Sequence, residues 1–386
     1  MKIYERNIVQ KHLNQLYQSN IYNKPSTYVA HKNVTFNNIH ALKPIAFYLP
    51  QYYPTKINDM NWGAGFTEWT NVARAIPQYY GHYQPHIPEK MGYYDLRNVS
   101  IMEEQCCLAK EYGIYGFCFY YYYFQGENQL ELPLINYTNS SNIKFPFCLC
   151  WANENWTKRW DGKQHEILLK QTYSSEDIQN FIVKISKYFL HENYIKVGQK
   201  PMLIIYNALE IPHLDYCINL WREYCQKVGI GDIFLVCAKT FGLQDIDIIS
   251  KFDACVEFPP HAMHLPPQID YSILTNKDFE GKIYHIKDYI TTITDNADYL
   301  LFRCAFPSWD NTPRTANKAK IFSDATPETF KCWLQKIIKY TQKYPLDKRY
   351  LFINAWNEWG EGAHLEPDRK YGYAYLDVLR QCLAEE

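Results

Sequence analysis

The chain carries almost no net charge. Its formal balance is −1 at pH 7 over 386 residues, and no run of like charge breaks the mixture. A strong field of either sign is missing, which argues against docking on nucleic acid or on an anionic membrane. Long apolar runs are missing too. No stretch approaches the roughly 18 apolar residues that suggest a transmembrane helix. The first residues, Met1 to Asn23, are polar and mixed where a secretory signal would place its apolar core. These absences make the cytoplasm the expected location. Cysteine is present, 12 residues in all, but never as a Cys-x-x-Cys pair. Most, such as Cys118, Cys148, Cys150, Cys237, Cys255 and Cys304, fall inside apolar runs, where a free thiol behaves as a small hydrophobe. A disulfide framework is therefore not expected.

Several chemical fingerprints are absent as well. No Gly-x-Gly-x-x-Gly follows the first strand and there is no Walker loop, which argues against a nucleotide-binding doubly wound sheet. No Gly-x-Ser-x-Gly elbow marks a serine hydrolase. His261 and His264 lie three apart near Glu257, but Pro259, Pro260, Pro266 and Pro267 make that segment an irregular loop rather than a helical zinc motif. Neither a metal nor an organic cofactor is expected. Asp245-Ile246-Asp247 has the letters of a metal-binding acid pair but opens a predicted short helix.

Aromatic residues are abundant, at 17% of the chain with 35 Tyr and 10 Trp. Much of this must be core. The remainder suits a groove lined by flat amphipathic rings, as carbohydrate sites often are. Residues 1–43 read as an N-terminal extension, with a possible helix over 5–18. From residue 44 onward, short apolar runs alternate with helical-period segments. Eight strands are expected, at 45–50, 115–122, 145–151, 202–206, 233–238, 253–258, 299–305 and 350–356. Helices are expected between them, at 98–112, 128–139, 175–190, 213–228, 243–251, 282–296 and 326–343, with a last one at 373–384. Continuous apolar strands alternating with helices imply a parallel sheet covered on both faces. Eight units imply an α/β fold of the (β/α)8 TIM-barrel type. Residues 44–386 then form a single catalytic domain with long βα loops.

In such a barrel the chemistry sits at the C-terminal ends of the strands. The eighth strand runs into Asn354-Ala355-Trp356-Asn357-Glu358-Trp359-Gly360-Glu361-Gly362. Glu358 and Glu361 are the expected catalytic pair, because glycosidic cleavage uses one carboxyl group as acid and a second as base or nucleophile. An indole beside a carboxylate also desolvates it and raises its pKa toward the useful range. A charged loop decorating a helix start is the plainer reading of two such acids; their position at a strand's C-terminal end favours function. The other strand ends contribute expected substrate-binding residues. These are Tyr52, Glu68, Trp69, Tyr121, Asn153, Glu154, Trp156, Glu257 and Trp309, with Asn354 and Trp356 from the eighth strand. Uncharged polar groups beside aromatic faces suit a neutral polyhydroxylated ligand, an oligosaccharide or polysaccharide, better than a phosphate or an acid.

Four motifs in order carry a resemblance: Phe47-Tyr48-Leu49-Pro50-Gln51-Tyr52-Tyr53-Pro54, Gly65-Phe66-Thr67-Glu68-Trp69, Trp151-Ala152-Asn153-Glu154-Asn155-Trp156, and Ala355 to Gly362. Together they resemble the WbsX-like family of bacterial polysaccharide and O-antigen loci. Its members are labelled glycosyltransferases but are similar to the endo-α-mannosidases of glycoside hydrolase family ninety-nine. The resemblance covers about residues 44–380. It implies a barrel in which Glu358 is the base toward a sugar 2-hydroxyl, giving a 1,2-anhydro intermediate, and Glu361 is the general acid/base. A glycoside hydrolase-like enzyme acting on manno-configured or related bacterial polysaccharide is the leading expectation. A glycosyltransferase of O-antigen, lipopolysaccharide or capsule synthesis is the alternative, and a non-catalytic glycan-binding barrel the third. Asn357 stands where the endo-mannosidases typically show another polar residue, which leaves substrate choice open.

Overall fold

A computed structural model describes residues 7, 10, 11, 13, 14, 24–33, 38, 41–158, 163–261, 263, 265–267, 273–293 and 297–385. His264, noted in the sequence, lies outside them, as do Arg159 and Trp160 beyond the end of the third strand. The barrel strands are β1 (Lys43–Tyr48), β2 (Gly116–Phe124), β3 (Phe147–Trp151), β4 (Lys200–Ile205), β5 (Phe234–Lys239), β6 (Ala254–Glu257), β7 (Leu301–Phe302 continued by Cys304–Ala305) and β8 (Tyr350–Ile353). Each pairs in parallel with its neighbours, and β8 returns to β1 with Lys43 opposite Tyr350. The ring closes through β7 in two halves. Leu301 and Phe302 pair with β6, whereas Cys304 and Ala305 pair with β8. Arg303 sits at the break and sends its guanidinium to Glu257, 2.6 Å away.

The helices α1 (Lys56–Trp62), α2 (Glu68–Arg74) and α3 (Val99–Glu111) follow β1. After them come α4 (Leu132–Asn139), α5 (Ser175–Phe189), α6 (Leu214–Lys227), α7 (Ile246–Ile249), α8 (Ile286–Thr292), α9 (Thr312–Thr315), α10 (Pro327–Thr341) and α11 (Ala374–Ala384). Local chemistry explains their starts. Asn98 accepts from Ser100 N–H, and Ser174 and Thr326 form capping boxes, the latter with Pro327 in the first turn. The apolar faces of α5 and α10 pack on the sheet through Phe181, Ile185, Trp333 and Ile337, all fully buried.

The expected helix at 282–296 opens as a strand. Lys282–Tyr284 pairs in parallel with Lys320–Phe322, and α8 begins only afterwards. The cap of α8 is remote. Asp324 accepts from Ile286 N–H at 2.5 Å and from Lys287 N–H at 3.2 Å. No local pattern announces a cap held 38 residues away. At the N-terminus the described residues of the expected first helix, 7, 10, 11, 13 and 14, are helical. Val29 bonds to both Tyr371 and Tyr373, and Lys32 pairs with Asp377, so this segment lies against the start of α11.

Candidate active site

The chain leaves β8 at Asn354 and makes a tight hairpin, with Asn357 opposite His364 and Glu358 opposite Ala363. Alternation sends neighbouring side chains to opposite sides. Asn357 turns down to the end of β1, where its Oδ1 accepts from Leu49 N–H at 2.7 Å and its Nδ2 donates to Leu49 O at 3.0 Å. Glu358 faces a cavity of about 370 Å³ at the strand ends. The variable position Asn357 therefore anchors the motif to β1 and does not line the cavity.

Two glycines make the turn possible. Gly362 has φ +62°, and a Cβ there would lie 3.1 Å from the Asp310 backbone. A Cβ on Gly360 would run into the Glu68 carboxylate and come within 2.9 Å of Arg314 Nε. Gly360→Ala is therefore expected to disrupt the charge cluster beside it and to lower stability by about 1–3 kcal/mol, as overpacking does. Denaturant unfolding of the variant checks this.

That cluster is the centre of the site. Arg314, on α9, donates from Nε to Glu68 at 2.7 Å, and its two terminal nitrogens meet Glu358 at 2.9 Å and Glu361 at 2.7 Å. One guanidinium thus spans three carboxylates, one from α2 and two from the β8 motif. Burial opposes the Arg314 charge, but the three acids hold its pKa well above the usual arginine value. Glu358 is only 5% exposed. Burial pushes its pKa up to about 8; Arg314 opposes the rise, and Glu361 and Glu68 add to it. Burial thus favours the protonated form of Glu358 around neutral pH. Glu361 is the more open partner, with its side chain 23% exposed.

A second carboxylate holds the indoles of the motif. Glu366 accepts from Trp356 Nε1 at 3.1 Å and Gln105 Nε2 at 2.6 Å on one oxygen. The other oxygen accepts from Trp359 Nε1 at 2.6 Å and Tyr94 O–H at 2.8 Å. Burial nevertheless lifts its pKa to about 7. Glu366→Gln would turn donors onto donors at one of these oxygens, so a loss of about 2 kcal/mol is expected from two unpaired buried groups. Chemical denaturation with tryptophan emission as the probe reads it.

Behind Trp359, His364 stacks on the indole with ring centroids 3.7 Å apart. Its Nδ1 lies 2.8 Å from Glu366 O, a carbonyl that only accepts, so Nδ1 carries the hydrogen. Nε2 then accepts from His86 Nδ1 at 2.8 Å. Burial lowers His86 to about 4 and takes His364 well below its usual value, so both rings are neutral. Among the described residues, His86, His364 and Asp368 form the buried group with ligand atoms close enough for a metal, all within 4.8 Å of one another. The two imidazoles already bond each other.

The expected site residues divide between wall and foundation. Glu358, Glu361, Glu154, Trp156 and Trp309 line the cavity. Tyr52, Glu68, Trp69, Tyr121, Asn153, Glu257, Asn354 and Trp356 are not among its lining residues. Tyr52 O–H donates to Asn357 O at 2.6 Å, and Trp69 Nε1 donates to Tyr94 O at 2.8 Å. Asn153 binds both the N–H and the carbonyl of Asn207, tying the end of β3 to that of β4. Asn354 donates to Pro259 O at 2.8 Å. Glu257 is occupied by Arg303, and burial raises its pKa. Tyr121 points outward to Phe181 and Tyr188 of α5, while its neighbours Tyr120 and Tyr122 face the cavity. Asp245 caps α7, accepting from Asp247 N–H at 2.9 Å and from Ile248 N–H. Arg314, Glu366, Tyr122 and His261 were not singled out as site residues from the sequence, although all four serve the site or its support.

Fold and site together define a parallel (β/α)8 barrel with a cluster of acids at the C-terminal rim of its strands. The family described as Glycosyltransferase WbsX matches residues 44–379. The chain belongs to that family, a glycan-processing one. It is 43% identical over 343 residues to the uncharacterized protein WxcX of one strain of Xanthomonas campestris pv. campestris, which covers 88% of this chain and 49% of the relative. For the protein of the same name in a second strain, the identity is 41% over 360 residues, with 92% and 52% covered. The chain thus spans about half the length of these curated relatives. Among solved structures it is similar to the endo-alpha-mannosidase of glycoside hydrolase family ninety-nine from Bacteroides thetaiotaomicron, with TM-score 0.52, 12% identity and coverage of 90% and 97%. A glycoside hydrolase-like protein matches with TM-score 0.59, 14% identity and coverage of 93% and 99%. These structural likenesses establish a shared fold. No helix of the described residues is long and apolar enough to cross a membrane.

Proposed function

We propose that this chain breaks or transfers a glycosidic bond, with Glu358 and Glu361 moving the protons, residues 44–386 as the catalytic unit and residues 1–43 as an extension on it. The observation that carries the reading is the meeting of both carboxylates at one guanidinium on the wall of a cavity that also presents Tyr120, Tyr122, Trp156 and Trp309. Glycosidic chemistry needs a pair of carboxyl groups holding one proton between them. The rise of Glu358 to about 8 supports such a count.

The roles follow the endo-mannosidase scheme. Ionised Glu358 takes the proton of a sugar 2-hydroxyl, the 2-oxygen bonds to C1, and Glu361 gives its proton to the departing oxygen. The 1,2-anhydro ring then opens to a water or sugar hydroxyl, which yields its proton to Glu361, while the 2-oxygen recovers a proton from Glu358. Substrate binding must therefore move the resting proton off Glu358. Hydrolysis of a manno-configured or related glycan is the first reading. Transfer is the second, favoured by the description of the family. Product analysis with a manno-oligosaccharide panel beside a nucleotide-sugar panel separates them. Turnover of the nucleotide-sugars alone, dependent on Mn²⁺ or Mg²⁺, would overturn the hydrolase reading.

A further inference from the structure

One wall of the cavity is a small sheet outside the barrel. Asp310 and Ile321 form an antiparallel bridge, flanked by bonds from Asn311 N–H to Lys320 O at 3.3 Å and from Phe322 N–H to Trp309 O at 2.9 Å. Directly opposed residues of such a pair share a face, and the face alternates along the strand. Trp309, Asn311, Lys320 and Phe322 therefore lie on one side, with Asp310 and Ile321 on the other. Trp309, Asn311 and Lys320 all line the cavity that holds Glu358 and Glu361.

Lys320 is half-buried. Among the described residues its ammonium has neither a carboxylate nor a hydrogen-bond acceptor, and it lies 5.3 Å from the centroid of the Tyr284 ring. Burial, followed by the charge of Lys282, holds its pKa below the usual lysine value. The indole Nε1 of Trp309 and the amide Nδ2 of Asn58, both on cavity-lining residues, are buried without an acceptor. Buried polar groups without partners are rare in native proteins, and an unpaired cation is held against a desolvation penalty. Arg314 is saturated by its own three acids. Among the described residues, Lys320 and Trp309 on this wall and Asn58 elsewhere in the same cavity thus offer unpaired donors, and these suit a ligand group made of acceptors.

We propose that this wall is a subsite for an anionic substituent of the glycan, a carboxylate or a phosphate ester, bound by the Lys320 ammonium and the Trp309 indole N–H, with the Asn58 amide as a further donor in the same cavity. The proposal rests on the glycan reading above and narrows it to acidic glycans. Stacking on Trp156 or Tyr122 supplies the neutral part of recognition.

The test follows the indole N–H signals of ¹⁵N-labelled protein, with Trp309→Phe assigning the one that matters. D-glucuronate and mannose 6-phosphate are titrated beside D-glucose and D-mannose. The anionic sugars should shift the Trp309 signal at concentrations where the neutral ones do not. Added salt should weaken the effect. Lys320→Gln should weaken anionic binding by about tenfold or more, the loss expected for a hydrogen bond to a charged group, and Lys320→Arg should restore most of it. The relative response to the two anions identifies carboxylate or phosphate as the preferred partner. Equal shifts with neutral sugars, or unchanged anionic affinity in Lys320→Gln, would overturn the subsite while leaving the glycan reading intact. No response to any sugar would remove both.

Discussion

Glu361→Gln and Glu358→Gln are each expected to lower glycan turnover by about 10² or more. A positioned proton-transfer group contributes about 10²–10⁴, and glutamine keeps the shape while removing the transferable proton. The two variants should differ in stability. Glu358 is a buried carboxyl with its pKa raised to about 8, so glutamine there resembles the neutral form the empty site already holds. Glu361 is more open and meets Arg314 at 2.7 Å. Losing its charge leaves the guanidinium with one acid fewer and should be felt more in the fold. If turnover survives both replacements, the chemistry lies on other residues; if the wild type binds a glycan panel and turns none of it over, the barrel is a binding module and not an enzyme.

The second large effect belongs to Arg314. Arg314→Met would leave Glu68, which is fully buried, facing Glu358 and Glu361 with no cation among them. Breaking a buried pair by removing one partner costs about 3–5 kcal/mol. The Glu358 pKa would also climb further, because Arg314 is the contact that opposes its rise. Arg314→Lys should recover only part of the loss, since an ammonium is a point charge and cannot fork to three carboxylates. Urea unfolding at neutral pH should rank wild type above Arg314→Lys and Arg314→Met last. Equal stability of all three would show that the guanidinium is not the keystone of the cluster.

The barrel could be read in the sequence because strands buried on both faces are continuous apolar runs, and all eight sit where such runs occur. Helix starts at Asn98, Ser174 and Thr326 were visible because their caps are local. The break in β7 was not visible. Arg303 interrupts an apolar run, but its partner Glu257 lies 46 residues away. Tyr121 and its neighbours illustrate a second limit. A strand with tyrosines on both faces has no alternation to show which face is which, so the sequence alone does not reveal that Tyr120 and Tyr122 turn inward. The motif acids Glu358 and Glu361 stood out through their setting between indoles and glycines. Arg314 had no comparable setting, since a lone arginine in a polar loop looks like any other. Its role comes from distance in the chain, 246 residues from Glu68 and 44 from Glu358. Glu366 was hidden for a similar reason, because two of its four donors come from Tyr94 and Gln105, more than 260 residues earlier.

The central claim is that Glu358 and Glu361 share one proton, which must pass from Glu358 to Glu361 before Glu358 works as the base. The pH dependence of kcat/KM reports the free enzyme and tests this directly. The account predicts kcat/KM falling as pH rises through a midpoint near 8, the value to which burial pushes Glu358, because the pair then loses the single proton that Glu361 must give to the departing oxygen. It also predicts that the limb moves to higher pH in Arg314→Lys. A rise through the same midpoint would mean that the reaction needs both carboxyl groups ionised and would contradict the shared proton, and a profile flat from pH 6 to about 9 would contradict the claim that this carboxyl group titrates in the reaction at all.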